Sequence, residues 1–441
     1  MGIDNNQKIN LKDLRVMRRF LFLFCNSVSN SRWHLLQELI AESNKLSSNY
    51  CCYLFISGEA LFEIYNSRWK NFVKFLSQQT KPSLILVFDG WEAKIRGINI
   101  DKSMSVQNSD SINQYFKNIL IFQDSPLDFW HHLVKISFSQ MEEESLSIDG
   151  KSQRGAFFQL EGPYMSRTSV YALRFLQAVL DYGKNPALYA YLDGLHLFHK
   201  RQHPSEFENI GESLIKITNQ CRNAGLSEEI LGCSRCAVAR GYSSITPEGQ
   251  FIPLNTIESA KIVNLNEIIE RLNSIAPIYS PNSGFLLNSS RKSNQKESKF
   301  EKIRSLLIVI SHSPYHSEWA FGGISLAVAC ANNGIETKVL FQDAGVLLFS
   351  EFLQMNILSS SHFPNSEYLF NLKDIIEVTC DMENLEYYID GTSEKAKILS
   401  FNNLTESVSV LFDSNFGQLF QSMEEKCNSN RSNGVNRILF F

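Results

Sequence analysis

The chain of 441 residues carries a formal net charge of −4, with 44% hydrophobic and 20% charged residues and 32 phenylalanines. That length exceeds one ordinary core and suits two to four domains, and the weakly acidic balance argues against a chain built to coat nucleic acid or an anionic membrane. Its nine cysteines are odd in number and irregularly spaced, which is not the pattern of a disulfide scaffold and fits a reducing, cytoplasmic compartment.

From the N-terminus, the first 14 residues read as loosely ordered. Arg15 to Arg19 followed by the apolar run Phe20–Cys25 has the outline of a signal peptide. The run is short for one, and no small-residue cleavage site follows, so it reads as a buried first strand. Gly2 is present, but Asn6 stands where myristoylation needs Ser or Thr. No segment reaches the roughly 18 to 20 apolar residues needed to span a bilayer.

Beyond this strand a unit recurs three times. Each copy opens on an apolar strand (Phe20–Cys25, Ala156–Leu160, Leu306–Ile310), passes a polar loop and enters a helix, and the second and third helices stop at Gly183 and Gly334 as glycine C-caps would. A second strand leads into a shared G-x-x-L-F signature, around Gly58, Gly194 and Gly345. Strand, helix, strand in this span is a βαβ unit, which builds parallel sheets. Each copy continues with a further strand, expected at Leu84–Phe88, Glu229–Leu231 and Ile375–Thr379. It closes with another, expected at Ile119–Phe122, Lys261–Val263 and Ile398–Phe401, before helices near Ser125, Asn264 and Asn402. Polar stretches at 141–154 and 281–300 read as linkers, and 425–436 as a loose tail. The predicted fold class is therefore α/β, in three tandem domains over 18–140, 156–280 and 303–424, each a small, mainly parallel sheet flanked by helices.

The middle copy holds the only C-x-x-C pair, in Gly232-Cys233-Ser234-Arg235-Cys236-Ala237-Val238-Ala239-Arg240-Gly241. A thiol becomes a nucleophile on losing its proton, which neighbouring cations and helix N–H groups promote. Cys233 and Cys236 lie one helical turn apart, close enough for a disulfide or for one to resolve a persulfide on the other; two small buried residues are the alternative. Arg240 suits thiolate stabilisation, anion binding or a plain ion pair. Asp193 reads equally as a catalytic acid or as the cap of the next helix, and His196 stands beside it. Repeat one keeps Arg96-Gly97 but carries Asp89 and Glu92 in place of the cysteines, which reads as a solvated helix start with N-terminal acids. In repeat three Cys380 precedes Tyr387-Tyr388 where Arg-Gly would be. Neither a second cysteine pair with metal-ligand spacing nor a phosphate-binding glycine motif accompanies these residues, so no metal and no cofactor is expected.

The C-x-x-C-x-x-x-R-G spacing and the order of elements resemble the DsrE-like sulfur-relay family, to which the Tus sulfur-transfer proteins belong. The third copy, with Ser311-His312-Ser313-Pro314-Tyr315 and Ala320-Phe321-Gly322-Gly323-Ile324, is similar to the DsrF type. The resemblance implies three diverged DsrE-like copies in one chain. It further implies sulfane sulfur carried as a persulfide on Cys233, with sulfur donor and acceptor proteins as partners and a homodimer forming a pseudo-hexamer; no nucleic acid and no membrane partner is expected. It leaves open whether the chain is a sulfurtransferase in its own right, a scaffold of the same fold, or a dithiol–disulfide protein using Cys233 and Cys236.

Overall fold

The computed structural model describes residues 18–46, 50–78, 83–100, 119–143, 153–288, 302–314, 317–350, 372–399, 408–413, 415–420, 423 and 434–441. The first segment runs β1 (Arg18–Phe24), α1 (Asn30–Leu46), β2 (Tyr50–Ile56), α2 (Ser67–Gln78), β3 (Ser83–Asp89), α3 (Gly90–Ile95), β4 (Ile119–Phe122) and α4 (Asp128–Glu143). The middle segment has β5 (Arg154–Gln159), α5 (Thr168–Asp181), β6 (Asn185–Ala190), α6 (Ile210–Asn223), β7 (Glu229–Cys233) and α7 (Ser234–Ala239). It continues with the hairpin β8 (Ser243–Ile245) and β9 (Phe251–Pro253), then β10 (Lys261–Val263), α8 (Leu265–Leu272) and β11 (Ile278–Tyr279). After β12 (Asn282–Asn288), the third segment has β13 (Ser305–Ile310), α9 (Glu318–Asn332), β14 (Glu336–Phe341), α10 (Leu372–Thr379), β15 (Leu385–Asp390), β16 (Val408–Leu411) and β17 (Gly434–Phe440). Among the described residues no helix is long and apolar enough to cross a membrane.

The protein is mixed α/β, with mostly parallel sheets flanked by helices. A five-stranded sheet has the order β10-β7-β6-β5-β11, all parallel. The first and third segments share a ten-stranded sheet, β16-β15-β14-β13-β17-β12-β1-β2-β3-β4. Its two parallel blocks, β16-β15-β14-β13-β17 and β1-β2-β3-β4, meet through β12, which runs antiparallel to both β1 and β17 and pairs with β17 from Ser283 against Leu439 to Asn288 against Gly434. The joining strands lie outside the expected bounds 18–140 and 303–424. The expected linker 281–300 thus begins with a central strand, and the expected loose tail ends in one. The short apolar stretches Gly284–Leu286 and Ile438–Phe440 supply the signal, masked by the polar residues around them; the rest of both stretches lies outside the described residues, as do the first 14 residues and the helix start expected near Asn402.

Two further expectations in the third segment are corrected. The run Ile375–Thr379 lies in α10, where Leu372 and Ile376 are buried four residues apart, and the third strand is β15. The closing strand is Val408–Leu411, and the stretch expected as a strand begins in a short 3-10 turn, Ala396–Ile398. A short apolar run fits a helix face as well as a strand.

Both faces of the large sheet are covered, so its strands read as nearly continuous apolar runs. On β1, Phe20, Phe22 and Phe24 enter one core with Trp33 and Leu36 of α1 and Trp69 and Phe72 of α2, while Leu21 and Leu23 enter the other with Phe129, Trp130 and Leu133 of α4. That second core continues without a break into the middle segment. Arg437 on β17 is 1% exposed and donates to the carbonyls of Leu272, Ser274 and Ala276, satisfying groups at the end of α8 that have no helical partner.

The signature glycines have a shared mechanical reason. A Cβ on Gly194 would stand 2.2 Å from the Gln159 carbonyl oxygen, and one on Gly345 2.2 Å from that of Ile310. Each occupies a 3-10 turn, Leu192–Phe198 or Asp343–Phe349, that folds back over the end of the segment's first strand. In the first segment the matching turn is Gly58–Tyr65. Here the backbone alignment differs from the sequence alignment by two positions. Ser57, Tyr191 and Gln342 each donate their N–H to the end of the first strand, to Phe24, Gln159 and Ile310, all at 2.9 Å. The residues that follow, Gly58, Leu192 and Asp343, all take left-handed φ of 58°, 51° and 49°. Gly58 therefore matches Leu192, and Ala60 matches Gly194.

Candidate functional site

Cys233 is the last residue of β7 and the N-cap of α7, which places Cys236 one turn on. The two side chains meet beneath α7. Cys233 is fully buried and Cys236 is 7% exposed. The Cys236 thiol and the backbone N–H groups of Arg235 and Cys236 are turned toward the Cys233 sulfur, and with the Arg235 charge they draw its pKa below the ordinary thiol value against the opposing effect of burial. Cys236 moves the other way: its thiol gives the hydrogen bond and is buried beside a developing thiolate. The pair is thus polarised into a nucleophile and a proton-holding neighbour.

The remaining sequence candidates form a second layer at this corner. Arg240 is one-tenth exposed and donates through Nε and Nη2 to Asp193 Oδ1 at 2.9 and 2.8 Å. It also pairs with Glu318. Its charge is thereby spent on two carboxylates, so the ion-pair reading holds in this structure. Asp193 caps no helix: the N-cap of its 3-10 turn is Tyr191, and Asp193 itself is half exposed. His196 has Nδ1 2.8 Å from the Tyr242 hydroxyl and Nε2 3.7 Å from Asp193 Oδ1. Burial and the nearby Arg240 lower its pKa, against the effect of Asp193.

Residues far away in sequence complete the corner. The first turns of α9 pack against the 3-10 turn and the arginines that flank the cysteine pair. Tyr191 donates to the Gly322 carbonyl at 3.1 Å, a Cβ on Gly322 would stand 2.8 Å from Leu192 Cδ2, and the Arg235 guanidinium sits 5.1 Å from the Phe321 ring centre. Gly322 thus permits close packing of α9 on the 3-10 turn, whereas Gly323 faces Ile310 and Phe441 of its own segment. Nothing in the local sequence around Cys233 signals this packing, because Glu318 lies far along the chain and meets Arg240 only through the fold.

The same corner exists twice more, with different chemistry. At the end of β3, Asp89 accepts from Ser57 Oγ at 2.7 Å and from the Glu92 N–H at 3.0 Å. At the end of β15, Asp390 accepts from Gln342 Nε2 at 2.9 Å and from the Thr392 hydroxyl at 2.6 Å. Asp89, Cys233 and Asp390 are therefore equivalent, and Cys380, half-buried just past α10, is not. The reading of Asp89 and Glu92 as solvated is also corrected, since both are fully buried. Glu92 is ringed by Arg96 at 3.4 Å, Arg167 at 2.9 Å, Arg174 at 2.8 Å and the Tyr171 hydroxyl at 3.2 Å. Three of these partners come from the middle segment, which contributes nothing to the sequence pattern around Glu92.

Each corner is covered by the next segment. The start of α5 covers Glu92, α9 covers the turn beside Cys233, and α1 covers the third corner, where Ser31 donates to Asp343 at 2.8 Å and accepts from Gln342 at 3.2 Å. The succession closes on itself, first under middle, middle under third, third under first. Comparison with protein-family models finds no matching family, and comparison with curated proteins finds no matching relative.

Proposed function

We propose that the chain consists of three diverged DsrE-like units closed into a ring, and that the middle unit carries sulfane sulfur as a persulfide on Cys233. The observation that supports this most is the contrast among the three equivalent corners. Two hold buried carboxylates, and only the middle one holds a thiol drawn toward its thiolate, with a second thiol beside it. In the loading step the Cys233 thiolate attacks the outer sulfur of a donor persulfide, the donor's S–S bond breaks, and the donor thiolate leaves. Transfer to an acceptor thiolate reverses this at the outer sulfur. Without an acceptor, Cys236 attacks the Cys233 sulfur, forming the Cys233–Cys236 disulfide and releasing hydrosulfide. On this reading the first and third units are assembly surfaces, donor and acceptor proteins approach the middle corner, and the compartment is the cytoplasm.

A second reading, a dithiol–disulfide protein, draws on the complete burial of Cys233. Two sulfurs under a helix can exchange electrons with a small oxidant or reductant more readily than meet a bulky donor. Intact-mass analysis of the whole chain after incubation with a polysulfide donor, followed by peptide mapping, separates the two. The Cys233–Cys236 disulfide arises in the wild type under either reading, so the Cys236→Ser chain decides. A gain of one sulfur on Cys233 there supports carriage. No adduct there together with loss of two hydrogens in the wild type supports the dithiol reading, and an unchanged mass in both chains with a competent control overturns both.

A further inference from the structure

At the ends of β1, β5, β13 and β17 lies a cavity of about 520 Å³, lined by all three segments. It is apart from the cysteine corner, and its volume lies in the range of small-molecule sites. Its walls include Arg32, Asp343, Glu161, Ser311, Trp319 and Phe440. Arg32 is 8% exposed, and burial lowers its pKa to about 10. It has a neutral partner, the Ser311 hydroxyl at 2.7 Å, and lies 5.0 Å from the Phe440 ring centre, but its Nε has no acceptor. Lining the same cavity, Asp343 takes the Ser31 hydroxyl on Oδ1, while Oδ2 is buried without a donor. Arg32 and Asp343 form no ion pair with each other among the described residues. A buried guanidinium and a part-buried carboxylate, each with an unused hydrogen-bonding atom, are costly unless something supplies the missing partners.

We propose that this cavity binds a small α-amino-acid-like zwitterion, whose carboxylate faces Arg32 and Ser311 and whose ammonium faces Asp343, with Glu161 as a further acid on the same wall. Arg32 and Asp343 line the same cavity without pairing with each other, so one zwitterion meets a cation and an acid together, which a simple anion or a simple amine does not. Trp319, Phe440 and Leu160 give the side chain an apolar wall, so an aromatic or aliphatic amino acid fits better than an acidic one. Water bridging the same atoms is the competing occupant.

The test is isothermal titration of the full chain with L-phenylalanine, 3-phenylpropionate, which lacks the ammonium, and phenethylamine, which lacks the carboxylate. The expected result is saturable binding of the amino acid, with both truncated compounds weaker by roughly tenfold or more, the consequence of losing a charged hydrogen bond. Asp343→Asn provides the protein-side test, because asparagine tolerates the left-handed backbone at this position. It should weaken the amino acid roughly tenfold and leave 3-phenylpropionate unchanged. No saturable binding, equal binding of all three compounds, or unaltered amino-acid affinity in a folded Asp343→Asn protein would overturn the proposal and leave a water-filled cavity.

Discussion

Arg240 joins Asp193, on the 3-10 turn above the cysteine pair, to Glu318, the first residue of the helix that covers it. The contact is a clasp between segments, made at the rim of the site rather than at the sulfur. Both carboxylates are more than half exposed, so the clasp contributes little to overall stability, about 1 kcal/mol or less. Its consequence is access. Arg240→Gln should speed alkylation of Cys233 by iodoacetamide, because the start of α9 is less firmly held. Slower alkylation, with Tm unchanged, would instead make Arg240 a thiolate-stabilising cation.

Glu92 has the opposite energetics, because it is wholly buried and several cations converge on it. Burial alone raises a carboxyl pKa, yet Arg174 and Arg167 hold Glu92 below its ordinary value. Glu92→Gln leaves those guanidinium groups facing one another across an interface, at a cost of about 3–5 kcal/mol. Denaturant unfolding checks this. A loss below about 1 kcal/mol would mean that the arginines turn out to solvent, as the 42% exposed side chain of Arg167 could do most easily.

Asp89 should make the protein less stable as the pH rises. Burial outweighs the hydrogen bonds from the Glu92 N–H and Ser57 and raises its pKa from 3.8 to about 6. Below the lower value Asp89 is protonated in both the folded and the unfolded chain. Between the two values the unfolded chain ionises first, so its contribution to stability falls through this window and stays low above it. Asp89→Asn keeps an N-cap acceptor and removes the ionisation. The variant should be more stable than the wild type at pH 7, by up to roughly 3 kcal/mol, and the gain should vanish near pH 4. A gain independent of pH would refute the assignment to Asp89.

Much of this was legible in the sequence and some could not be. The first strands, the 3-10 signature, the glycine stops at Gly183 and Gly334 and the C-x-x-C corner all rest on local rules: apolar runs, residues that tolerate a left-handed backbone, and the strand–helix junction. The shared large sheet was not legible, because β12 and β17 are short apolar stretches beside polar ones and pair with each other from opposite ends of the third segment. Alignment of the first signature failed for a physical reason too. Gly58 occupies the left-handed position that Leu192 and Asp343 fill elsewhere, so identical residues marked different structural places. The Glu318 clasp, the α9 cover and the arginine ring about Glu92 are all contacts between segments, with no periodicity to announce them.

The signature turn supplies a stability prediction that depends on this corrected alignment. Gly194 and Gly345 each approach a strand-end carbonyl so closely that an added methyl overlaps backbone, which cannot rotate aside. Gly194→Ala and Gly345→Ala should each cost about 1–3 kcal/mol. The first segment already carries alanine at this place and is correspondingly looser: Ala60 N lies 3.4 Å from the Cys25 carbonyl, where Gly194 N lies 3.0 Å from that of Leu160. Ala60→Gly should therefore bring no gain in Tm. A gain comparable to the losses at the other two positions would show that the three turns are not equivalent.

The order in which the two sulfurs act follows from their places on α7. Cys233 stands at the strand end, where the hydrogen bond from the Cys236 thiol lowers its pKa most, and the helix N–H groups and Arg235 lower it further. Cys236 is the group whose own pKa is raised. At neutral pH the first alkylation should fall on Cys233, with a rate that levels off at lower pH than for an ordinary thiol. Cys236→Ala removes the donor, so the same pH profile should shift upward while Cys233 still reacts. Under the sulfur-carrier reading, Cys233→Ser abolishes loading by a persulfide donor. Cys236→Ser, which keeps a hydroxyl donor but no attacking thiol, should load and hold its adduct longer, since the Cys233–Cys236 disulfide cannot form and hydrosulfide is not expelled. Loading retained in Cys233→Ser and lost in Cys236→Ser would reassign the nucleophile to Cys236. An upward shift of the Cys233 profile in Cys236→Ala that matched an unfolded-chain thiol would show that Cys236, rather than Arg235 and the helix N–H groups, accounts for nearly all of the activation.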